Sequence, residues 1–159
     1  MESQFSSGIP DVIGRSVQTS IDFTQSAWNT VATHRVFTVT GLVRCRMVYR
    51  ITGSLTSGGA ATISFGYTGS VAAYSTAVVL GGLTSGKIMR AGVGAPSAIV
   101  AAGEIIEHAT NQTDVFLDAI HIGYEILLFA LTGGSIIANC IWNPISSDGN
   151  VVSASGGTL

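Results

Sequence analysis

The chain has 159 residues, of which 47% are hydrophobic and only 10% are charged, and its formal net charge is −2. This length fits one domain with a sizeable apolar core. An average soluble protein carries roughly 25% charged residues, and a free monomer usually keeps exposed charge for solubility. The composition therefore predicts that much of the surface meets another protein. Without a global positive charge we expect no binding to nucleic acid.

A membrane-spanning helix is not predicted, because it needs about 20 consecutive apolar residues. The longest apolar stretch, residues 120–131, is interrupted by His121 and Glu125. The polar N-terminus lacks the basic and apolar regions of a signal peptide. We therefore expect no membrane association, and a protein that is made in a cytoplasm and used there or released by lysis.

Residues 1–33 show no sustained helical or strand period. Their apolar residues are scattered, and include Phe5, Ile9, Phe23 and Trp28. We interpret the segment as an extended N-terminal arm, of a kind commonly ordered only against a neighbouring body or subunit. Trp28 would anchor the arm in the body or in a neighbour. The alternative is a first edge strand of the same domain, at residues 18–24.

A strong strand pattern begins at His34. Odd positions from Phe37 to Ile51 are mainly apolar, and even positions carry mainly Thr and Arg, which predicts one long half-buried strand. Gly41 marks a bulge or bend within it. Four of the seven basic residues lie in this stretch: Arg35, Arg44, Arg46 and Arg50.

Acidic residues cluster further along the chain. Five of the nine lie between positions 104 and 125: Glu104, Glu107, Asp114, Asp118 and Glu125. Opposite charges on neighbouring strands contribute about 0.2–1 kcal/mol per pair. We hypothesise that the basic and acidic segments are neighbours on one sheet face or meet between subunits. The alternative is a solvated polar face.

The later segments predict short strands separated by Gly-rich turns. Residues 60–67 alternate as a strand, whereas residues 71–80 are ambiguous and fit a short helical turn before a strand at residues 77–80. Further short strands are predicted at residues 87–90, 98–101, 104–108 and 114–120. The best hairpin joins residues 123–131 to 135–142 through Thr132-Gly133-Gly134, with Ile136, Ala138, Cys140 and Trp142 on one face of its second strand.

Seven to nine short strands without a strong amphipathic helix predict an all-β fold. We expect a single-domain β-sandwich or jelly roll, with a barrel as the remaining all-β architecture. The body would span residues 34–152, after the arm of residues 1–33. Residues 153–159 would form a small flexible tail.

No motif predicts catalysis, a metal or a cofactor. Residues 81–88 resemble a phosphate-binding loop, but Ile88 replaces the hydroxyl residue required after Lys87. The three histidines lack the spacing of metal ligands. Cys45 and Cys140 fit small core residues, with a single bridge between them as the alternative. We therefore expect a protein that is not an enzyme.

Three stretches of the chain are similar to small virion proteins of tailed bacteriophages, often described as capsid decoration or cement proteins. They are residues 22–30 running into 34–41, residues 54–66, and residues 142–152, which begin Trp142-Asn143-Pro144. The resemblance implies a β-sandwich or jelly-roll body, often trimeric, seated on the capsid lattice. The arm would contact the capsomers.

The expected function is a virion structural protein that stabilises a phage capsid by bridging neighbouring capsid subunits. Its partners would be further copies of itself, in a homotrimer, and the major capsid protein. It would be made in the host cytoplasm and lie on the capsid surface. The contacts would come from the arm and the arginine strand: Phe5, Ile9, Phe23, Trp28, Arg35, Arg44, Arg46 and Arg50.

Two other functions remain open from the sequence. One is a tail or head-fibre structural subunit. The other is a carbohydrate- or receptor-binding β-sandwich module, which would present an exposed aromatic platform.

Overall fold

The computed structural model of the chain describes residues 14–80, 83–90 and 114–159, which form two antiparallel sheets and one short helix. The prediction of an all-β sandwich is thereby confirmed. In chain order the described elements are β1 (Arg15–Asp22), α1 (Ser26–Asn29), β2 (Thr33–Thr40), β3 (Leu42–Ser57), β4 (Thr62–Tyr67), β5 (Ser70–Val79), β6 (Ile88–Arg90), β7 (Val115–Asp118), β8 (Ile122–Leu127), β9 (Leu131–Pro144) and β10 (Asn150–Ser153).

The chain passes repeatedly from one sheet to the other. The first sheet has the order β1-β9-β3, and both β6 and β7 pair with the far edge of β3; the second has the order β10-β2-β8-β4-β5. Side chains from both sheets meet in one hydrophobic core. The rings of Tyr49 on β3 and Phe65 on β4, for example, have centroids 4.2 Å apart. Their contact places the two sheets face to face.

The predicted long strand is divided into β2 and β3. The odd-numbered residues from Val43 to Ile51 are buried, so the alternation was predicted correctly. Between the strands, Gly41 has a φ of +57°, and a Cβ atom there would lie 2.5 Å from Asp148 Oδ1. Glycine is therefore required where the chain leaves the second sheet and enters the first.

The predicted boundary of the arm at residue 33 is wrong. β1 pairs with β9 along its whole length, from Arg15 opposite Trp142 to Asp22 opposite Ser135. Phe23 is fully buried and Trp28 is only 6% exposed. Residues 15–33 therefore belong to the body, because they pair the backbone of β9 and fill the core. Phe5 and Ile9 lie outside the described residues.

The predicted hairpin around residues 132–134 is also wrong. β8 lies in the second sheet and β9 in the first, so the two strands do not pair. The glycines lie inside β9, where Gly133 is opposite Thr56 of β3. A Cβ at Gly134 would lie 2.5 Å from the carbonyl oxygen of Ser54. These glycines permit close approach of two long strands instead of a tight turn.

Two further segments differ from their predictions. Residues 70–79 form one continuous strand without a helical turn. The C-terminal residues were predicted to be flexible, but Ala154 N donates to Val36 O at 2.8 Å and Arg35 N donates to Gly157 O at 2.9 Å. The tail packs along β2 because these edge groups of the backbone require partners. Residues 87–90 and 114–120 contain β6 and β7, and the strands predicted at 98–101 and 104–108 lie outside the described residues.

Candidate binding face

The outer surface of the first sheet carries the three arginines of β3. The alternation of β3 buries Cys45, Met47 and Tyr49 and turns the intervening arginines away from the core. Neighbouring strands add an acidic residue and exposed apolar residues. We call this surface the binding face and define it as Arg44, Arg46, Arg50, Asp114, Phe116 and Ile141.

One carboxylate organises two of the arginines. Arg46 Nε donates a short hydrogen bond to Asp114 Oδ1, and Arg46 Nη2 donates to Asp114 Oδ2 at 3.3 Å. Arg44 Nε lies 3.8 Å from Asp114 Oδ2. The hydrogen bond from Arg46 lowers the pKa of Asp114 below its ordinary value, and the same contact raises the pKa of Arg46. Asp114 therefore stays ionised and fixes the direction of both guanidinium groups.

These ion pairs orient side chains more than they stabilise the fold. The side chains of Arg46 and Asp114 are 41% and 26% exposed, so solvent screens their attraction. Such pairs typically contribute up to about 1 kcal/mol. The hypothesis that the arginine strand lies beside acidic residues holds for Asp114. Glu125 lies on β8 in the other sheet, and Glu104 and Glu107 lie outside the described residues.

Large apolar side chains stand beside the arginines on the binding face. Phe116 on β7 is directly opposite Arg44 and is 62% exposed. Ile141 on β9 is opposite Arg46 and is 40% exposed. Arginine and aromatic residues are enriched in protein–protein interfaces, whereas Lys and Glu are depleted. The arrangement is suited to binding another protein surface.

A scan against protein-family models finds no match for this chain, and a search of curated proteins finds none either.

The structure brings together three of the eight residues predicted to form contacts, namely Arg44, Arg46 and Arg50. Phe23 and Trp28 are buried in the core, and the backbone oxygen of Trp28 accepts a hydrogen bond from the Tyr124 hydroxyl at 2.6 Å. Arg35 is on β2 in the other sheet, where its Nε atom is buried without a hydrogen-bond partner among the described residues. These three residues do not reach the binding face.

Sequence reasoning missed Phe116 and Ile141 as contact residues. The alternation of β9 did place Ile141 opposite the face of Cys140 and Trp142, which pointed to exposure. β7 reads Val-Phe-Leu-Asp, and three successive apolar residues do not reveal which side faces the core. Only the pairing of β7 with β3 turns Phe116 outward.

The thiols of Cys45 and Cys140 are buried and do not form a disulfide bond. Cys45 Sγ lies 3.8 Å from the Tyr74 hydroxyl oxygen. The hydrogen bond with Cys45, together with burial, raises the pKa of the Cys140 thiol. Both cysteines therefore lie in the core without a disulfide bond between them, as the first of the two sequence interpretations predicts.

The described residues also include the end of the phosphate-loop resemblance and His34, one of the histidines considered as metal ligands. After Lys87 the chain enters β6, so the helix that a phosphate-binding loop requires does not begin there. His34 places Nδ1 3.1 Å from Ala27 O and Nε2 2.8 Å from Thr30 O, so its ring fixes the α1 segment against β2.

Among residues 14–80, 83–90 and 114–159, no group of His, Cys, Asp or Glu side chains could hold a metal ion. No helix in these residues is long and apolar enough to cross a membrane.

The two strongly exposed aromatic rings of the described residues do not form one platform. Phe116 is opposite Arg44, near the start of β3. Phe129 is near the other end, because it packs against Gly59 just after β3 ends at Ser57. Carbohydrate-binding platforms place aromatic rings side by side, so this separation does not favour that function.

Proposed function

We propose that this chain is a non-catalytic virion structural protein that decorates a phage capsid, and that the binding face is the surface that contacts the capsid protein. The observation that carries the proposal is the alignment of three arginines on β3 beside exposed Phe116 and Ile141. The sequence resemblance supplies the class of partner. The prediction that the N-terminal arm contacts capsomers stays a prediction for residues 1–13, which lie outside the described residues.

The strand order supports a jelly-roll assignment for the sandwich. The sheets β1-β9-β3-β7 and β2-β8-β4-β5 contain eight strands, with β6 and β10 as additions. Successive strands alternate between sheets except at β4–β5 and at β6–β7. We assign this order to two interlocked Greek keys, the jelly-roll arrangement of viral capsid, lectin and cupin domains. The topology is thus compatible with a structural role in a virion.

Such a protein would stabilise the capsid shell because its binding is thermodynamically linked to shell assembly. A ligand that binds the assembled shell and not its dissociated subunits stabilises the shell by mass action. Further copies in a homo-oligomer, for which a trimer is the expected form, would strengthen weak individual contacts through avidity. Asp114 contributes by holding Arg44 and Arg46 in place before binding, which reduces the ordering cost of association.

The test is cosedimentation of the purified chain with empty shells assembled from the major capsid protein of the same phage. We expect the wild type to bind and to raise the temperature at which the shells dissociate. Phe116→Ala removes an exposed ring without opening the core, and we expect it to weaken shell binding by roughly tenfold or more. Arg50→Glu should also weaken binding, and the loss should be larger at low salt.

Val152→Ala is the matched control, because Val152 is 47% exposed on β10 in the other sheet. It should bind shells like the wild type. A wild-type chain that does not bind shells, or a Phe116→Ala variant with unchanged affinity, would contradict the proposal. A truncation that tests the arm must end at residue 13, because β1 begins at Arg15.

A further inference from the structure

One end of the second sheet carries a group of exposed apolar side chains. Val31 is 50% exposed, Leu127 39%, Leu128 68%, Phe129 49% and Val79 64%. We call these five residues the apolar band. Among monomeric proteins, isolated exposed apolar residues are ordinary, whereas a contiguous group marks an interaction site.

Strand pairing makes this group contiguous. Leu127 on β8 is opposite Thr62 on β4, and Thr62 is opposite Val79 on β5. Ile126 N donates to Ala32 O, which sets Val31 beside Leu127 on the other flank. Leu128 and Phe129 follow directly in the turn after β8. The band therefore crosses the sheet from the start of β2 to its edge at β5.

The backbone at Leu128 is strained at an exposed position of the band. Leu128 has a φ of +74°, a left-handed conformation that bulky residues rarely adopt. Its side chain is also the most exposed of the band. In the monomer, Leu128 therefore has a strained backbone and a side chain that is mostly exposed to solvent. Strain of this kind is found where a residue is needed for function.

Among the described strands, β5 is the edge of the second sheet next to the band. β5 has ten residues and pairs with β4 alone among the described strands. It contains no charged residue and no proline, which are two of the features that protect an edge strand from pairing with another chain, although its register with β4 shifts twice. At the opposite edge of the same sheet, the chain covers β2 with its own β10 and tail.

We propose that the apolar band and the adjoining edge of β5 form the contact between copies of this chain in its homo-oligomer. No charged residue occurs in β4, β5 or residues 126–131, so identical surfaces meet there without like-charge repulsion. Homodimer interfaces are also more apolar than the interfaces of non-obligate complexes. The proposal builds on the self-association inferred above and places it on the second sheet, away from the binding face.

The test measures the molar mass of the purified full chain by light scattering over a dilution series. We expect an oligomer that dissociates on dilution. Leu128→Asn removes the apolar side chain and suits the left-handed backbone, so the dissociation constant should rise at least about tenfold. The thermal midpoint of the monomer, measured where both proteins are dissociated, should be unchanged or higher. A lower midpoint would show that Leu128 serves the fold and would overturn the inference.

Val79→Lys places a charge in the band and should dissociate the oligomer. Val152→Lys, on β10 at the opposite edge of the sheet, should leave the mass unchanged. A wild type that is monomeric at every concentration would overturn the inference, as would an oligomer that persists in both Leu128→Asn and Val79→Lys. Persistence of the oligomer would leave the proposed function intact, because shell binding is tested separately through Phe116.

Discussion

A single carboxylate determines how the arginines of β3 are presented. Asp114 contacts both Arg44 and Arg46, while Arg50 has no carboxylate partner among the described residues. Long side chains lose up to about 2 kcal/mol of rotamer freedom when they are immobilised. Two of the three guanidinium groups are therefore partly ordered before any partner arrives.

Replacement of this carboxylate should have a small, pH-dependent effect on stability. Asp114→Asn should lower the free energy of unfolding at neutral pH by no more than about 1 kcal/mol, because the ion pairs are partly exposed. The pKa of Asp114 is lowered in the folded chain, so the charged carboxylate stabilises the fold above its ordinary pKa of 3.8. That contribution is lost as the pH falls through the lower, folded-state pKa. Urea denaturation of both proteins between neutral and acidic pH measures the difference.

Asp118→Asn provides the control, since Asp118 is exposed at the end of β7, the strand that Asp114 precedes, and forms no ion pair with a described residue. Its stability should follow that of the wild type across the titration. If the difference between wild type and Asp114→Asn instead grew toward acidic pH, the assigned ion pairs would be wrong.

Individual side chains of the core were predictable where the strand period was regular. The odd-numbered residues from Val43 to Ile51 and the face of Ile136, Ala138, Cys140 and Trp142 are buried as the alternation predicts. The rule failed at Val36 and Phe37, which are both fully buried. The pairing register shifts between Arg35 and Phe37, and such a bulge turns two successive side chains to one face. A bulge of this kind interrupts the two-residue alternation and has no recognisable pattern in the sequence.

At the scale of elements, the connection at Gly41 controls the passage between the sheets. Gly41→Ala would place a Cβ 2.5 Å from Asp148 Oδ1 and 2.7 Å from Ser146 Oγ, on a backbone with φ of +57°. We expect a loss of about 2 kcal/mol in the free energy of unfolding, because the left-handed conformation alone costs a non-glycine residue about 1–2 kcal/mol. Chemical denaturation measures this loss.

Gly58→Ala is the matched comparison, because a Cβ at Gly58 would meet no atom within 4 Å and its φ is not positive. Its stability should remain within about 0.5 kcal/mol of the wild type, as for most surface substitutions. Equal stability of Gly41→Ala and the wild type would mean that the connection tolerates a side chain and does not need its left-handed conformation.

The positions of the strands were largely predictable, but the strand with which each one pairs was not. Alternation located β3, β4 and β9 because each has one buried face. The sequence Thr132-Gly133-Gly134 satisfies the rules of a hairpin turn and equally those of a strand that approaches its neighbour closely. Choosing between them requires knowing that β9 pairs with β1 and β3, and this pairing joins residues more than 70 positions apart in sequence.

At the scale of the whole molecule, the two chain ends complete the sandwich. β1 covers one side of β9, and residues 154–159 continue along β2 beyond β10. The arm boundary failed in the sequence interpretation because edge strands are half exposed and show a weak period. Glycine and small residues near the C-terminus likewise resemble a free tail, although Gly156 and Gly157 adopt φ of +94° and +99° to follow the sheet.

Removal of residues 154–159 should therefore destabilise the body. The truncated chain loses the hydrogen bonds that join Ala154 to Val36 and Arg35 to Gly157, and the contact of Leu159 with Gly123. At about 0.5–1.5 kcal/mol per hydrogen bond, we expect a loss of about 1–3 kcal/mol in the free energy of unfolding. Thermal or urea denaturation measures it, and a truncated chain as stable as the full chain would show that the tail is dispensable.

The repeated passage of the chain between sheets also has a consequence for biosynthesis. Among the described strands, β1 pairs only with β9, and β3 pairs with β9 along most of its length. Neither β1 nor β3 can form these pairs until residues 131–144 have been synthesised. Loop closure over such separations slows folding, so we expect the first sheet to assemble only after β9 has left the ribosome.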